Sequence, residues 1–230
     1  MENDRGYSAG KPWKLAKQQH ILETAFRLFT EKGIELVTIP EIAKASGVGR
    51  ATVFRYFPTK LELVLAVGTR KWEEYISLYN TYLPPEKMAQ MTGAEYLRFY
   101  LDAFLDLYRN HGDILRFNYN FNNYLWFETG TPEQREPYLR MTDSLGRIFH
   151  ELYKRGQRDG TLNTEIPEPM MFSATFHIML AAVTRYAVGL AVVYENGGDP
   201  ENELIMLKDM LFSRFTKKNV PAFPLSDQLT

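Results

Sequence analysis

The chain has 230 residues, a formal net charge of −1 and no cysteine, so disulfides, thiolate metal sites and cysteine nucleophiles are excluded. Hydrophobic residues make up 45% of it, which places it among globular proteins and not disordered tails. No apolar signal region follows Met1, and a cytoplasmic location is the expectation.

Residues 1–12 are polar and are expected to form a mobile arm. From Trp13, the residues Ile21, Leu22, Ala25, Phe26, Leu28 and Phe29 recur on one helical face, and Gly33 ends the run. A second helix opens at Thr38-Ile-Pro-Glu41, a capping box in which hydroxyl and carboxylate each satisfy a backbone amide. Gly47 turns the chain. A third helix runs from about Arg50 to Phe57, and Pro58 breaks it. Thr59-Lys-Leu-Glu62, another capping box, opens a fourth helix that reaches Tyr82.

Pro84-Pro85 marks a loop. Thr92-Gly-Ala-Glu95 opens a fifth helix to Asn110, and a sixth covers Asp113 to Phe127. Thr131-Pro-Glu-Gln134 opens a seventh, with proline at its favoured first position, reaching Arg158. An eighth runs from Pro167 to Tyr194 and stops at Gly197-Gly198; Asp199-Pro200 caps a ninth that ends near Lys218. No alternating strand pattern or internal repeat intervenes. The expectation is an all-α fold of about nine helices: an arm (1–12), a three-helix head (13–58), a helical body (59–218) and an irregular tail (219–230).

The longest apolar stretch, Phe172 to Tyr194, contains His177 and Arg185. A spanning helix tolerates such an arginine poorly, so this reads as a packing helix and no membrane partner is expected. Charge is uneven along the chain. The first 72 residues carry 12 Lys+Arg against 7 Asp+Glu, hence +5, and the remainder carries 15 against 21, hence −6. A basic head on an acidic body suits a small DNA reader on a body that does not touch DNA.

The head carries the clearest pattern. A helix-turn-helix needs a small residue at the helix crossing, a turn residue that accepts positive φ, and apolar residues that lock the pair. Ala43, Gly47, and Ile39, Ile42, Val48 and Val53 fit these needs. An αα-corner with a glycine satisfies the same pattern, so both readings stand on these residues alone.

The order of first helix, capping box, turn, VGRATVFRYFPTK and fourth helix closely resembles the N-terminal signature of the tetracycline-repressor (TetR) family. The matching residues are Ile21, Ala25, Leu28, Phe29, Gly33, Thr38, Ile42, Ala43, Gly47, Val48, Thr52, Tyr56, Phe57 and Lys60, within residues 17–66. Beyond them only helix count and loop positions match, including Arg155–Leu162. The resemblance implies that Thr38, Thr52 and the Tyr56 hydroxyl donate to DNA phosphates, and that Lys60 pairs with another beside a positive helix N-terminus. It implies that Arg50 and Arg55 reach base edges or the adjacent backbone, where arginine grips guanine in bidentate fashion. Gly49 and Ala51 are small enough for close approach. The family often has serine, glycine and tyrosine where Gly49, Ala51 and Phe54 stand, and Phe54 is left outside the expected site. Packing is the reading for Phe57, and it competes with a DNA contact at Tyr56. Arg5, Lys11, Lys14 and Lys17 read either as a minor-groove arm or as a solvated tail.

In the body, Phe117 to Phe127 reads FNYNFNNYLWF, six aromatics and four asparagines in eleven positions. Asparagine disfavours helix, so the run needs a tertiary reason. One reading is a core stripe with its amides at solvent. The other is a ligand pocket with aromatic walls and orienting amides. The pocket reading takes Phe117, Asn120, Phe121, Tyr124 and Trp126, with Tyr96, Tyr100, Phe104, Tyr153, Phe176 and His177 as further walls, and Trp126 as the stacking residue. No concentrated positive charge lies among them, so an apolar, aromatic or cationic-amphipathic small molecule is the expected ligand.

The eighth and ninth helices are apolar on more than one face, through Met179, Leu180, Val183, Ala187, Leu190, Ala191, Leu204, Leu207, Met210, Leu211 and Phe215. A homodimer through these helices would bury them, as the resemblance also implies. Two heads would then read a palindromic double-stranded operator with half-sites about 34–36 Å apart or a multiple. His20, His111, His150 and His177 show no metal-ligand spacing, and neither a phosphate loop nor a nucleophile elbow is present. No metal, cofactor or catalytic residue is expected. The expectation is a ligand-responsive regulator of transcription, a repressor released by its ligand. The alternative is a helical ligand-binding dimer or an enzyme without DNA binding, which leaves Arg50, Arg55 and Lys60 unexplained.

Overall fold

Three threonines set the frame. The hydroxyls of Thr59, Thr92 and Thr131 each accept the amide proton three residues on, and the side chains of Glu62, Glu95 and Gln134 accept from the threonine amide in return. Each is a closed capping box. The computed structural model describes residues 12–128, 130–191 and 199–217. Its helices are α1 (Pro12–Lys32), α2 (Ile39–Ala45), α3 (Arg50–Tyr56), α4 (Lys60–Tyr82), α5 (Pro85–Gln90), α6 (Gly93–Asn110), α7 (Gly112–Phe127), α8 (Pro132–Asp159), α9 (Glu168–Ala187) and α10 (Pro200–Phe215). Among the described residues there is no strand, only an isolated antiparallel bridge between Leu162 and Thr216. No described helix is long and apolar enough to cross a membrane.

The all-α expectation holds, with differences of detail. The stretch read as a loop after Pro84-Pro85 contains α5, with Pro84 at its cap and Pro85 at its favoured first position. The eighth predicted helix, here α9, stops at Ala187 because Gly189 adopts φ +73°, a left-handed conformation that ends a helix. The Thr38 capping box is half formed: Thr38 Oγ1 accepts from Glu41 N at 3.3 Å, but the Glu41 carboxylate pairs with Lys32 Nζ at 2.6 Å. The arm up to Lys11, the Gly197-Gly198 stop and the tail from Lys218 lie outside the described residues.

Packing divides the chain into two units. The first comprises Met1–Trp72 with Phe117–Leu139. Its core is built by Ile21, Ala25 and Phe29 of α1, Ile42 of α2, Val53 of α3 and Leu63 and Val64 of α4, all buried. Phe117 and Phe121 of α7 complete it. The Phe117 ring lies 5.4 Å from that of Phe26 and 6.5 Å from that of Phe29. Gly68 makes room for Phe121, since a Cβ there would fall 2.9 Å from its ring. Each such fully buried ring contributes roughly 1.5–3 kcal/mol.

The second unit comprises Glu73–Arg116 with Arg140–Thr230. In it α6, α9 and α10 pack on one another around Leu97, Leu101, Met179, Val183, Leu204 and Leu211. Lys208 is only 2% exposed, and its ammonium pairs with Asp102 at 2.8 Å. The buried Asp106 carboxylate accepts from the Asn110 amide at 2.8 Å, and the Tyr75 hydroxyl, 3.2 Å away, divides its one proton between that carboxylate and Ala103 O at 2.6 Å. α6 starts against the last turn of α8. The Asp159 carboxylate accepts from Gly93 N at 2.7 Å, and the Gly93 and Gly156 backbones touch.

A Cβ at Gly93 would sink into the Gly156 backbone, which cannot swing aside. Gly93→Ala should therefore cost about 3 kcal/mol or more in a urea melt. Gly146→Ala, inside α8 with open space around it, should stabilise by about 1 kcal/mol.

Candidate nucleic-acid interface

The turn between α2 and α3 is built by backbone bonds. Val48 N donates to Ala43 O at 3.0 Å and Gly47 N to Lys44 O at 3.2 Å, the paired closure of a Schellman motif. Gly47 occupies φ +65°, the left-handed region open to glycine. The buried Ser46 hydroxyl donates to Ile42 O at 2.7 Å. Ile39, Ile42, Ala43 and Val53 are buried and Val48 half-buried, so the proposed lock is closed.

That lock orients α3. With Val53 and Phe57 turned inward, Arg50, Ala51, Phe54 and Arg55 are left on one exposed face. Gly49 and Thr38 are exposed beside it, and Thr52, Tyr56 and Lys60 are half-buried. The Thr38 hydroxyl, an acceptor in the cap, keeps its own proton for donation. The Arg55 guanidinium stands 5.6 Å from the Tyr56 ring centroid, a contact that aligns it without neutralising it. Phe54, set outside the expected site, is 41% exposed on the same face; only the departure at this position marked it in the sequence. Lys14 and Lys17 belong to α1, their ammoniums 5.8 and 5.5 Å from the Trp13 ring, while Arg5 and Lys11 lie outside the described residues.

Lys60 is held from two sides. Its Nζ donates to Glu35 O at 3.2 Å and lies 5.6 Å from the Tyr124 ring centroid. Burial lowers its pKa, opposed by the charges of Glu35 and Glu128. Burial, followed by the same two carboxylates, pushes the Tyr124 phenol up to about 12. Sequence reasoning gave no sign of these partners.

The expected ligand residues fall into two groups. In the first unit, Phe117, Phe121 and Tyr124 are core, Asn120 Nδ2 donates to Phe29 O at 3.5 Å, and Trp126 is 81% exposed. In the second, Tyr96, Tyr100, Phe104 and Tyr153 are buried, Phe176 is half-buried and His177 exposed. Tyr100 lies 5.8 Å from Phe104 and 5.4 Å from Phe149, and Phe104 lies 6.2 Å from Phe176, all edge-to-face. The Tyr153 hydroxyl donates to Ile166 O at 2.9 Å and His177 Nδ1 meets Ser173 Oγ at 3.2 Å. The Tyr100 hydroxyl is buried with no hydrogen-bond partner, and its desolvation drives the phenol pKa far up.

Of the apolar residues expected at a dimer seam, Met179, Val183, Leu204, Leu211 and Phe215 are buried within the second unit. Leu180, Ala187, Ala191 and Leu207 are half-buried, and Leu190 and Met210 are exposed. An open groove on α9 and α10 is lined by Ile178, Ile205, Met206, Leu207 and Met210. Among the described residues no cluster of His, Asp and Glu is fit to hold a metal ion.

The family profile described as "Bacterial regulatory proteins, tetR family" matches residues 21–67, which cover α2, α3 and most of α1. The HTH-type transcriptional regulator SAR2658 of Staphylococcus aureus is 31% identical over 157 residues, 68% of this chain and 76% of that protein. The chain belongs to the TetR family. The likeness to the TetR-type head is higher but shorter in the HTH-type transcriptional regulator AcrR of Shigella flexneri. There 44% identity spans 46 residues, 20% of this chain and 21% of that protein. Among solved structures, a transcriptional regulator from Saccharomonospora viridis in complex with choline has 20% identity and a TM-score of 0.68, covering 89% of this chain and all of that one. At that identity it shows that the TetR fold is shared, and no more.

The turn between α2 and α3 of the TetR head depends on one left-handed residue, Gly47. Gly47→Ala should cost about 1–2 kcal/mol, the penalty of a Cβ in that conformation, read by chemical denaturation.

Proposed function

We propose that the protein is a ligand-responsive, sequence-specific DNA-binding regulator of transcription, a repressor that its effector releases from a palindromic operator. The observation that carries this reading is the exposed α3 face, with Arg50 and Arg55 projecting from a helix locked by the Schellman turn. Arg50 and Arg55 read base edges. Thr38, Thr52, Tyr56 and Lys60 hold phosphates, and Gly49 and Ala51 admit the groove wall. Phe54 is suited to a thymine methyl, a contact a hydroxyl-bearing tyrosine would make less favourably. The groove on α9 and α10, where Met206 and Met210 are 60% and 61% exposed, suits the two-fold seam of a homodimer.

For the effector, the aromatic group of the second unit is the better supported of the two. A buried hydroxyl without an acceptor costs about 1–3 kcal/mol unless something supplies one. Tyr100 is such a group, walled by Phe104 and Phe149. An effector with an apolar or aromatic frame and one hydrogen-bond acceptor answers that need. Release follows when the effector binds one conformation of the dimer better than the other.

Selection from random-sequence duplexes with the full chain should yield a palindrome. Arg55→Ala should lower affinity for it by about 1–3 kcal/mol and relax selection at one base pair per half-site, with dimerisation intact. Selection without enrichment would reject the DNA reading. Tyr100→Phe should leave the ligand-free protein as stable or up to about 1 kcal/mol more stable, because it removes an unsatisfied hydroxyl. It should also weaken the effector's release of DNA; a clear loss of thermal stability would show that the hydroxyl already has a partner.

A further inference from the structure

The aromatic run on α7 has a use beyond filling the core. Phe117, Asn120, Phe121 and Tyr124 share one helical face by their spacing. Three of them are pinned by packing in the first unit: Phe117 on Phe26, Asn120 on Phe29 O, and Phe121 on Gly68 and Tyr138. Tyr124 is thereby fixed one turn further on, 4% exposed, with its ring 5.6 Å from Lys60 Nζ.

We propose that Tyr124 is a positioning residue for DNA binding, its ring and the Glu35 carbonyl together aiming the Lys60 ammonium at a backbone phosphate. This rests on the phosphate role given to Lys60 above. A lysine side chain has four rotatable bonds, and holding its end in one place costs about 2 kcal/mol of rotamer entropy. A ring face restrains the ammonium before DNA arrives and leaves its charge intact. An ion-paired carboxylate would restrain it equally well but cancel the charge the phosphate must meet. Among the described residues, Glu35 and Glu128 act on Lys60 at longer range, and neither closes an ion pair with it. An ammonium has three donors, and the Glu35 carbonyl engages one.

The test uses the full chain and a labelled duplex of random sequence, titrated over a range of KCl concentrations. Lys60→Ala should flatten the dependence of log affinity on log salt by about one unit per bound protomer. Tyr124→Leu and Tyr124→Met, which remove the ring, should flatten it by most of that amount; Tyr124→Phe, which keeps the ring, should match the wild type. Either ring-removing change added to Lys60→Ala should alter the slope no further. A merely structural role would lower the melting temperature and leave the slope unchanged, and that result overturns the proposal. An unchanged slope in Lys60→Ala itself would instead remove the phosphate role on which the proposal stands. Should neither ring-removing variant fold, carbon-13 reductive methylation of the wild type decides. The Lys60 methyl signal must then be shifted upfield by the ring current, and an unshifted signal rejects the contact.

Discussion

A seven-residue helix has no stability of its own in water, because nucleation costs more than so few hydrogen bonds return. Both α2 and α3 are seven residues long. Everything about the first unit follows from that constraint. Ile42 and Val53 anchor one short helix each, and the Schellman bonds around Gly47 join the two into a single corner. α1 and α4 supply the floor, and the Phe117 and Phe121 rings of α7 close it. The α3 face is thus held from behind by long-range packing, which leaves its outward residues with no part in the core.

What the sequence disclosed follows the range of the interactions. Capping boxes at Thr59, Thr92 and Thr131 act within four residues, and the helices begin where they predict. The Thr38 box looked identical but is half used, because Lys32, nine positions from Glu41, takes the carboxylate. Helix α5 was illegible: its six residues bury no side chain, so it shows no hydrophobic period. The α3 face could be read because one buried residue, Val53, sets its phase. The α7 run could not, since its partners Phe26 and Phe29 lie some 90 positions earlier in the chain. Composition flagged the run as needing a tertiary reason, but partners so distant leave no local mark.

The two units differ in how they treat polar groups. In the first, the half-buried Lys60 is held by a carbonyl and a ring, while in the second Asp106 is met by the Asn110 amide and the shared Tyr75 proton. The Tyr100 hydroxyl, like those of Thr30, Thr69 and Thr184, is buried without a partner, and it is carried on a ring that packs edge-to-face on Phe104 and Phe149. A cluster of rings without voids would be cheaper to build with phenylalanine at that position.

The Lys208–Asp102 pair that ties α10 to α6 bears on how the family can drift. Loss of Asp102 leaves the buried Lys208 ammonium with only the exposed Asp209 carboxylate at 3.9 Å, whereas loss of Lys208 leaves a carboxylate that is 30% exposed and can turn to water. Loss of Asp102 before Lys208 therefore crosses a valley, whereas exchange of both for well-packed hydrophobic residues need not weaken the helix pair. Among diverging descendants of this chain they should be kept together or lost together, a correlated pair 106 positions apart.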